Sequence, residues 1–178
     1  YAMGLARAAQ AAGAKIYENT EVLEIQEGSK ATLRTSGGRV TADHVVLACH
    51  ADQALSMLDA PDSDEQQVLS AFRYQRNRAI LHSDRALMPK RRRAWCSWNY
   101  LADRSRAQRE LCVTYWMNNL QPIAGGRDYF VTLNPTHRPQ DGKIIRSFLY
   151  HHPLFDKEAV SAQRMLWNLQ GKRNIWFC

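Results

Sequence analysis

Residues whose side chains could do chemistry are few in this chain, and most stand alone. The four cysteines, Cys49, Cys96, Cys112 and Cys178, are widely spaced and contain no Cys-x-x-Cys pair. That spacing argues against a zinc site or a disulfide framework and for a reducing compartment, with the cytoplasm as the expected location. His151-His152 has the look of a metal pair, but adjacent strand residues point to opposite faces and do not easily share one ion. No metal is expected. Asp62, Asp64 and Glu65 belong to a helix start, where they favour the macrodipole. Paired carboxylates suited to acid–base work are not evident, and no side chain is assigned a catalytic role. Cys49 has no partnered His/Asn arrangement, and is read as a small buried residue rather than a nucleophile.

Position makes the region around Cys49 more informative than its chemistry. The apolar run Val45-Val46-Leu47-Ala48 has no polar alternation, which suits a parallel strand buried on both faces. The carboxyl ends of such strands open onto a ligand crevice. Ala48, Cys49 and His50 are thereby placed at a site edge. His50 would approach a ligand there or cap the helix that follows. The cap is favoured, with Asp52 competing for the same role.

The elements that hold this edge follow from pattern. Tyr1 to Ala12 is an Ala-rich helix with Leu5, Ala8, Ala9 and Ala12 on one face, fit to lie close on a sheet, and Gly13 stops it. Lys15 to Gln26 reads as two short strands broken at Asn19-Thr20. Lys30–Thr35 and Arg39–Thr41 flank a Ser36-Gly37-Gly38 hairpin turn. Ala51–Leu58 is a short helix. A second helix starts at Ser63, with Gln66 completing a capping box and Val68, Leu69 and Phe72 as its buried stripe.

Beyond residue 76 the composition turns aromatic. Runs at Asn77–His82, Ala94–Tyr100, Leu111–Met117, Asp128–Leu133 and Lys143–Tyr150 are separated by short polar or Pro/Gly loops, which indicates an antiparallel sheet. Nine aromatics lie on these runs, and three in four are expected to be core. The rest would line an apolar pocket, for which Trp98, Tyr100, Tyr150 and His152 are the candidates. Lys157–Leu169 is an amphipathic helix with Val160, Met165, Leu166 and Leu169 facing inward, and Asn174–Cys178 is a closing strand.

The order of these segments has a counterpart. A helix ending in Gly, then GAKIYENTEVLEI, a polar hairpin, and GGRVTADHVVLAC before a helix resembles the middle segment of the flavin amine oxidase superfamily. That group includes monoamine oxidases, protoporphyrinogen oxidases and phytoene desaturases. The likeness covers about 40 residues well. It is nearest to bacterial predicted NAD/FAD-binding or amine-oxidase-like proteins, where it extends through DYFVTLNPTHRP and NIWFC.

The resemblance implies an α+β chain within a two-domain flavoprotein. Residues 1–55 would be the middle segment of the FAD-binding domain, 56–172 a substrate-binding domain, and 173–178 a strand returning to the first. It implies that Val22 presents its backbone to the adenine of FAD, and that Ala48 and Cys49 lie beside the cofactor. It implies an FAD-dependent oxidoreductase that removes hydride from a C–N or C–C bond of an apolar, lipid-like or amine substrate. The superfamily's G-x-G-x-x-G turn does not occur in the sequence, nor does its late Gly-led flavin segment. The expectation is an internal piece of a longer flavoprotein, binding FAD weakly or not at all by itself.

Composition bounds the alternatives. With 24 Lys and Arg against 17 Asp and Glu, the net charge is +7. Much of it sits in Lys90-Arg91-Arg92-Arg93, flanked by Pro89 and Trp95. A solvated loop is the favoured reading of that run over phosphate contact. Attraction to a lipid surface is a third reading. Nucleic acid is not an expected partner, although a non-catalytic module binding polyanions or a protein is the competing function. Oligomeric state is not legible. No run is long enough to cross a bilayer.

Overall fold

The structure is a computed structural model that describes residues 2–101 and 112–178. It divides into two compact units, Tyr1–Arg73 with Leu154–Cys178, and Tyr74–Pro153. The helices at 63–70 and 157–165 pack within the first unit.

In the first unit, α1 spans Ala2–Ala11, and Gly13 ends it at φ 94°. There the amides of Gly13 and Ala14 return to the carbonyls of Gln10 and Ala9, each at 3.0 Å. The apolar face expected to be covered is open: Leu5 is 58% exposed, and Ala8 and Ala12 are exposed beside it. Three alanines offer little area to bury, and none of the helix's described side chains is buried. Lys15–Tyr17 is not a strand. Regular pairing begins only where Glu21 and Ser36 exchange bonds, the Ser36 amide donating to the Glu21 carbonyl at 2.9 Å. From there β1 (Val22–Gln26), β2 (Ala31–Thr35) and β3 (Gly38–Ala42) form an antiparallel meander. The β2–β3 turn falls at Ser36-Gly37 as the sequence predicts, with Gly38 at φ 127°.

Strand β4 (Val45–Leu47) is followed by α2 (Ala51–Met57) and α3 (Ser63–Ser70). The cap of α3 lies one residue earlier than expected. Asp62 Oδ1 accepts from the Glu65 amide at 2.8 Å, and Glu65 Oε2 accepts from the Asp62 amide at 2.9 Å. Val68 and Leu69 are buried, and Phe72 packs beside them.

The second unit is one sheet. Its strands are β5 (Tyr74–His82), β6 (Trp98–Leu101), β7 (Cys112–Trp116), β8 (Phe130–Leu133) and β9 (Ile144–Pro153). Their order is β6-β7-β8-β5-β9, with all pairs antiparallel. A single helical turn, α4 (Met117–Leu120), leaves β7. Leu111, expected to start β7, lies outside the described residues, as does Tyr1.

Back in the first unit, α5 (Lys157–Met165) buries Ala159 and Ala162, with Leu169 in the 3-10 turn after it. Val160 and Met165, expected to face inward, are 42% and 40% exposed. The close approach that small alanines allow selects the other stripe. Gly171 turns at φ 75°, and β10 (Ile175–Phe177) then pairs parallel with β4, Ile175 opposite Val45 and Phe177 opposite Leu47. Ile25, Val45, Leu47, Leu58, Val68, Leu69, Ile175 and Phe177 make the core.

Candidate functional site

The edge predicted from Val45–Ala48 sits at the carboxyl end of β4. Only one face of that strand is covered: Val45 and Leu47 are buried, while Val46 is 63% exposed beside its partner Trp176. Burial on both faces, expected from the unbroken apolar run, is therefore not observed among the described residues. The pairing continues one step past the strand, since the Cys178 amide donates to the Leu47 carbonyl at 3.1 Å.

Ala48 and Cys49 follow, both exposed, so Cys49 is not the buried residue expected. Partial desolvation of its sulfur, reinforced by the charges of Asp52 and Cys178, raises the thiol above its ordinary pKa. The thiolate a nucleophile needs is thereby disfavoured. His50 stands at the N-cap of α2, as its sequence position favours, with its amide donating to Gln53 Oε1 at 3.3 Å. Val22 opens β1 opposite Thr35, and its side chain packs on the same core as Leu47. Its side chain holds a strand in place and leaves any ligand contact there to the backbone. The sequence supplies no glycine-rich turn beside Ala48 and Cys49 for a pyrophosphate.

In the second unit the register brings Trp98, Tyr100, Tyr150 and His152 onto one face of the sheet. Residues paired across antiparallel strands share a face. One row runs Trp98, Tyr115, Val131, Leu81, Arg146, and the next Tyr100, Val113, Leu133, Ala79, Phe148. Tyr150 and His152 continue along β9, opposite Asn77 and Gln75. Phe148 and Tyr150 stack with centroids 5.7 Å apart, and Tyr150 meets His152 edge-on at 6.2 Å. Arg146 lies 5.0 Å over the Phe148 ring. Trp98, Tyr100 and Tyr150 are 63%, 54% and 47% exposed.

Most of the nine aromatics were expected in the core, but Phe130 alone among them is fully buried. His151 points away from His152, which removes the metal pair, and among the described residues no cluster is built to hold a metal. At the rim of this face Asn134 Nδ2 donates to Asn77 Oδ1 at 2.7 Å. Asn77 Nδ2 in turn donates to His152 Nδ1 at 2.9 Å. With Nδ1 accepting, the neutral ring carries its proton on Nε2.

The opposite face carries what pattern reading missed. Asn99, Thr114, Thr132 and Ile80 form one buried row across four strands. Thr114 and Thr132 hydroxyls meet at 2.9 Å, and Asn99 Nδ2 donates to the Thr114 carbonyl at 3.3 Å. His82, fully buried in the next row, lies 2.8 Å from Thr132 Oγ1 by Nε2 and accepts the Asp84 amide on Nδ1 at 3.1 Å. Burial pushes His82 below its ordinary pKa against the pull of Asp84. Thr114 and Thr132, each the single threonine of an otherwise apolar or aromatic strand, were the signal that a polar row crosses this sheet.

The basic run is partly consumed by the same fold. Arg92 reaches Asp128, which also accepts from Arg85 and from Trp116 Nε1 at 2.7 and 3.1 Å. Arg92 lies 4.4 Å over Trp95 and 5.0 Å over Trp116. These donors, Arg92 first, hold Asp128 below the usual carboxylate range despite its burial. Lys90, Arg91 and Arg93 stay exposed. Among the described residues, no helix is long and apolar enough to cross a membrane.

Comparison with known proteins places this geometry. The chain is similar to a CLA-producing fatty acid isomerase from P. acnes, with a TM-score of 0.59 and 17% identity over 90% of this chain and 42% of that one. It is also similar to a protoporphyrinogen oxidase-like protein from Exiguobacterium sp. 255-15, with a TM-score of 0.50 and 14% identity over 89% of this chain and 41% of that one. Both are likenesses of fold. Over 49 residues it is 43% identical to the probable oxidoreductase OrdL of Rhizobium meliloti (strain 1021), a stretch covering 27% of this chain and 11% of that protein. The chain thus spans less than half the length of each of these relatives. The model of the FAD dependent oxidoreductase family (DAO) matches residues 1–98, more than half of the molecule, and the chain belongs to that FAD-dependent family.

Proposed function

We propose that this chain is part of an FAD-dependent oxidoreductase and contributes to two surfaces of it. In the first unit, the backbone at Val22 and the small residues Ala48 and Cys49 would lie against the cofactor. In the second, Trp98, Tyr100, Tyr115, Phe148 and Tyr150, with His152 at the rim, would form a wall against which an apolar, lipid-like or amine substrate rests. The observation that carries the reading is the gathering of these aromatics on one open face. A sheet that leaves an aromatic patch of this kind uncovered is usually a binding surface. When bound, FAD accepts hydride from a C–N or C–C bond of the substrate. The aromatic wall would hold the apolar part of the substrate against its rings. Catalysis of that sort needs few acidic or basic side chains, in keeping with the isolated reactive residues of the sequence. The exposed cations Lys90, Arg91 and Arg93 would favour peripheral contact with an anionic membrane carrying a lipid-like substrate, in a cytoplasmic setting. Nucleic acid is not a proposed partner.

The test is the visible absorption of the purified full-length parent, followed by turnover of Trp98→Ala and Tyr150→Ala variants. Bound flavin, with a raised KM in both variants, supports the assignment. A parent that stays colourless on adding FAD would sink it.

A further inference from the structure

Three segments of the first unit, distant in sequence, meet at one guanidinium. Arg173 reaches Glu27, just past the end of β1, through Nη1, and Glu65, in the first turn of α3, through Nη2. Its Nη1 also donates to the Ala60 carbonyl at 3.0 Å. Glu65 is fully buried and the Glu27 side chain is 14% exposed. Each carboxylate uses Oε2 for these bonds. Each leaves Oε1 buried without a hydrogen-bond partner among the described residues.

With every group ionised, two buried carboxylates share one cation. The surroundings do not correct the imbalance. Asp62, capping α3, and Asp64, in its first turn, add two more carboxylates, and Lys172 adds one cation, 2.8 Å from Asp64 and 3.7 Å from Asp62. A buried carboxylate oxygen without a donor is costly, and a proton on it removes both the charge and the deficit.

The backbone at the same point is held in an unfavourable form. Arg173 and Asn174 adopt φ 53° and 64°, the left-handed region that residues with a Cβ avoid. Gly171 and Ile175 close the turn with an amide-to-carbonyl bond of 2.9 Å, and β10 begins at Ile175. The cluster therefore fixes the approach of β10 to β4.

We propose that Glu27, Glu65 and Arg173 form a proton-linked latch, in which a proton taken up by Glu27 tightens the seam that seats β10 alongside β4. Supporting it, burial raises Glu27 above its ordinary value of 4.5, with Glu65 and Asp62 pushing the same way and Arg173 opposing. A carboxyl raised in the folded state binds more protons folded than unfolded. Its contribution to stability therefore grows as pH falls through the folded value, and levels off below 4.5. Asp62, held low chiefly by the Glu65 amide, titrates with the opposite sign. The difference between wild type and a Glu27 variant isolates the latch.

The experiment combines a carboxyl-carbon NMR titration of Glu27 in the whole chain with melting curves from pH 4.5 to 8 for wild type, Glu27→Gln and Arg173→Ala. Glu27 should titrate above 4.5. Glu27→Gln, a neutral isostere of the protonated acid, should melt at or above wild type at pH 8, with the gap closing as pH falls. Arg173→Ala strands two buried carboxylates and should lower the melting temperature by on the order of 10 °C. It should also speed amide exchange at Ile175–Phe177, and adding Glu27→Gln should restore part of the loss. A Glu27 titration at or below 4.5 overturns the latch. So does a Glu27→Gln chain that melts as low as Arg173→Ala at every pH or does not fold. Unchanged exchange at β10 in Arg173→Ala overturns it as well.

Discussion

Arg92, third residue of the run Lys90-Arg91-Arg92-Arg93, turns its guanidinium inward onto Asp128, with Nη1 2.8 Å from Oδ2 and Nη2 3.2 Å from Oδ1. A charge run that reads as a solvated loop thus has a structural centre and an exposed fringe. Replacing Asp128 with Ala would strand the Trp116 indole N–H and release both arginines. The expected cost is about 2–3 kcal/mol, toward the lower end because Arg85 and Arg92 are more than half exposed and screened. Urea unfolding followed by tryptophan fluorescence reads it. The bond to Asp128 is present above the ordinary value of 3.8 and fades as pH falls through the lower folded value.

His82 gives the second unit an acid sensitivity at milder pH. Its folded value lies below 6.5, so the stability of the neutral ring is fully present above 6.5 and lost as pH falls through the folded value. His82→Gln keeps a donor for Thr132 and does not titrate. The variant's urea midpoint should vary less than wild type's between pH 7 and pH 5. Parallel midpoints in the two proteins would refute this.

Gly171 cannot be replaced quietly. A Cβ there would sit 3.1 Å from Trp176 Cζ2, on a backbone at φ 75°. Gly171→Ala should destabilise the first unit by about 1–3 kcal/mol, seen as a lower melting temperature. Phe130→Ala, by contrast, opens a cavity under the sheet of the second unit, where Phe130 is fully buried, and should cost about 3–5 kcal/mol.

The open aromatic face separates stability from binding. Trp98→Ala and Tyr150→Ala remove exposed rings and should change unfolding free energy by no more than about 1 kcal/mol. In the FAD-loaded full-length protein the same changes should raise KM. A clear drop in unfolding free energy with KM unchanged would make the face structural.

Much of this was legible in the residues. The hairpin at Ser36-Gly37, the antiparallel pairing of the later strands and the N-cap position of His50 follow from turn chemistry and strand period. Alternation alone placed Trp98 with Tyr100 and parted His151 from His152. Other features had no local signature. The Arg173 cluster joins positions 27, 65 and 173, and no periodicity relates residues so far apart. Which stripe of α5 is buried was misjudged because Val160 and Met165 outrank Ala159 and Ala162 in hydrophobicity, while close packing favours the smaller residues. Val46 and Leu5 appeared interior for the same reason: an apolar side chain declares what would benefit from cover, not whether cover is present.

The row Asn99, Thr114, Thr132 has a consequence for how the sheet finds its alignment. A slip of one residue between strands turns every side chain over, and the hydrophobic pattern alone penalises it. A slip of two keeps each side chain on its proper face, so that pattern is nearly blind to it. The polar row is not. Any such shift would part the Thr114 and Thr132 hydroxyls and take Thr132 away from His82, leaving buried groups without partners. The row works as a vernier, rejecting the near-misses that greasy surfaces would accept.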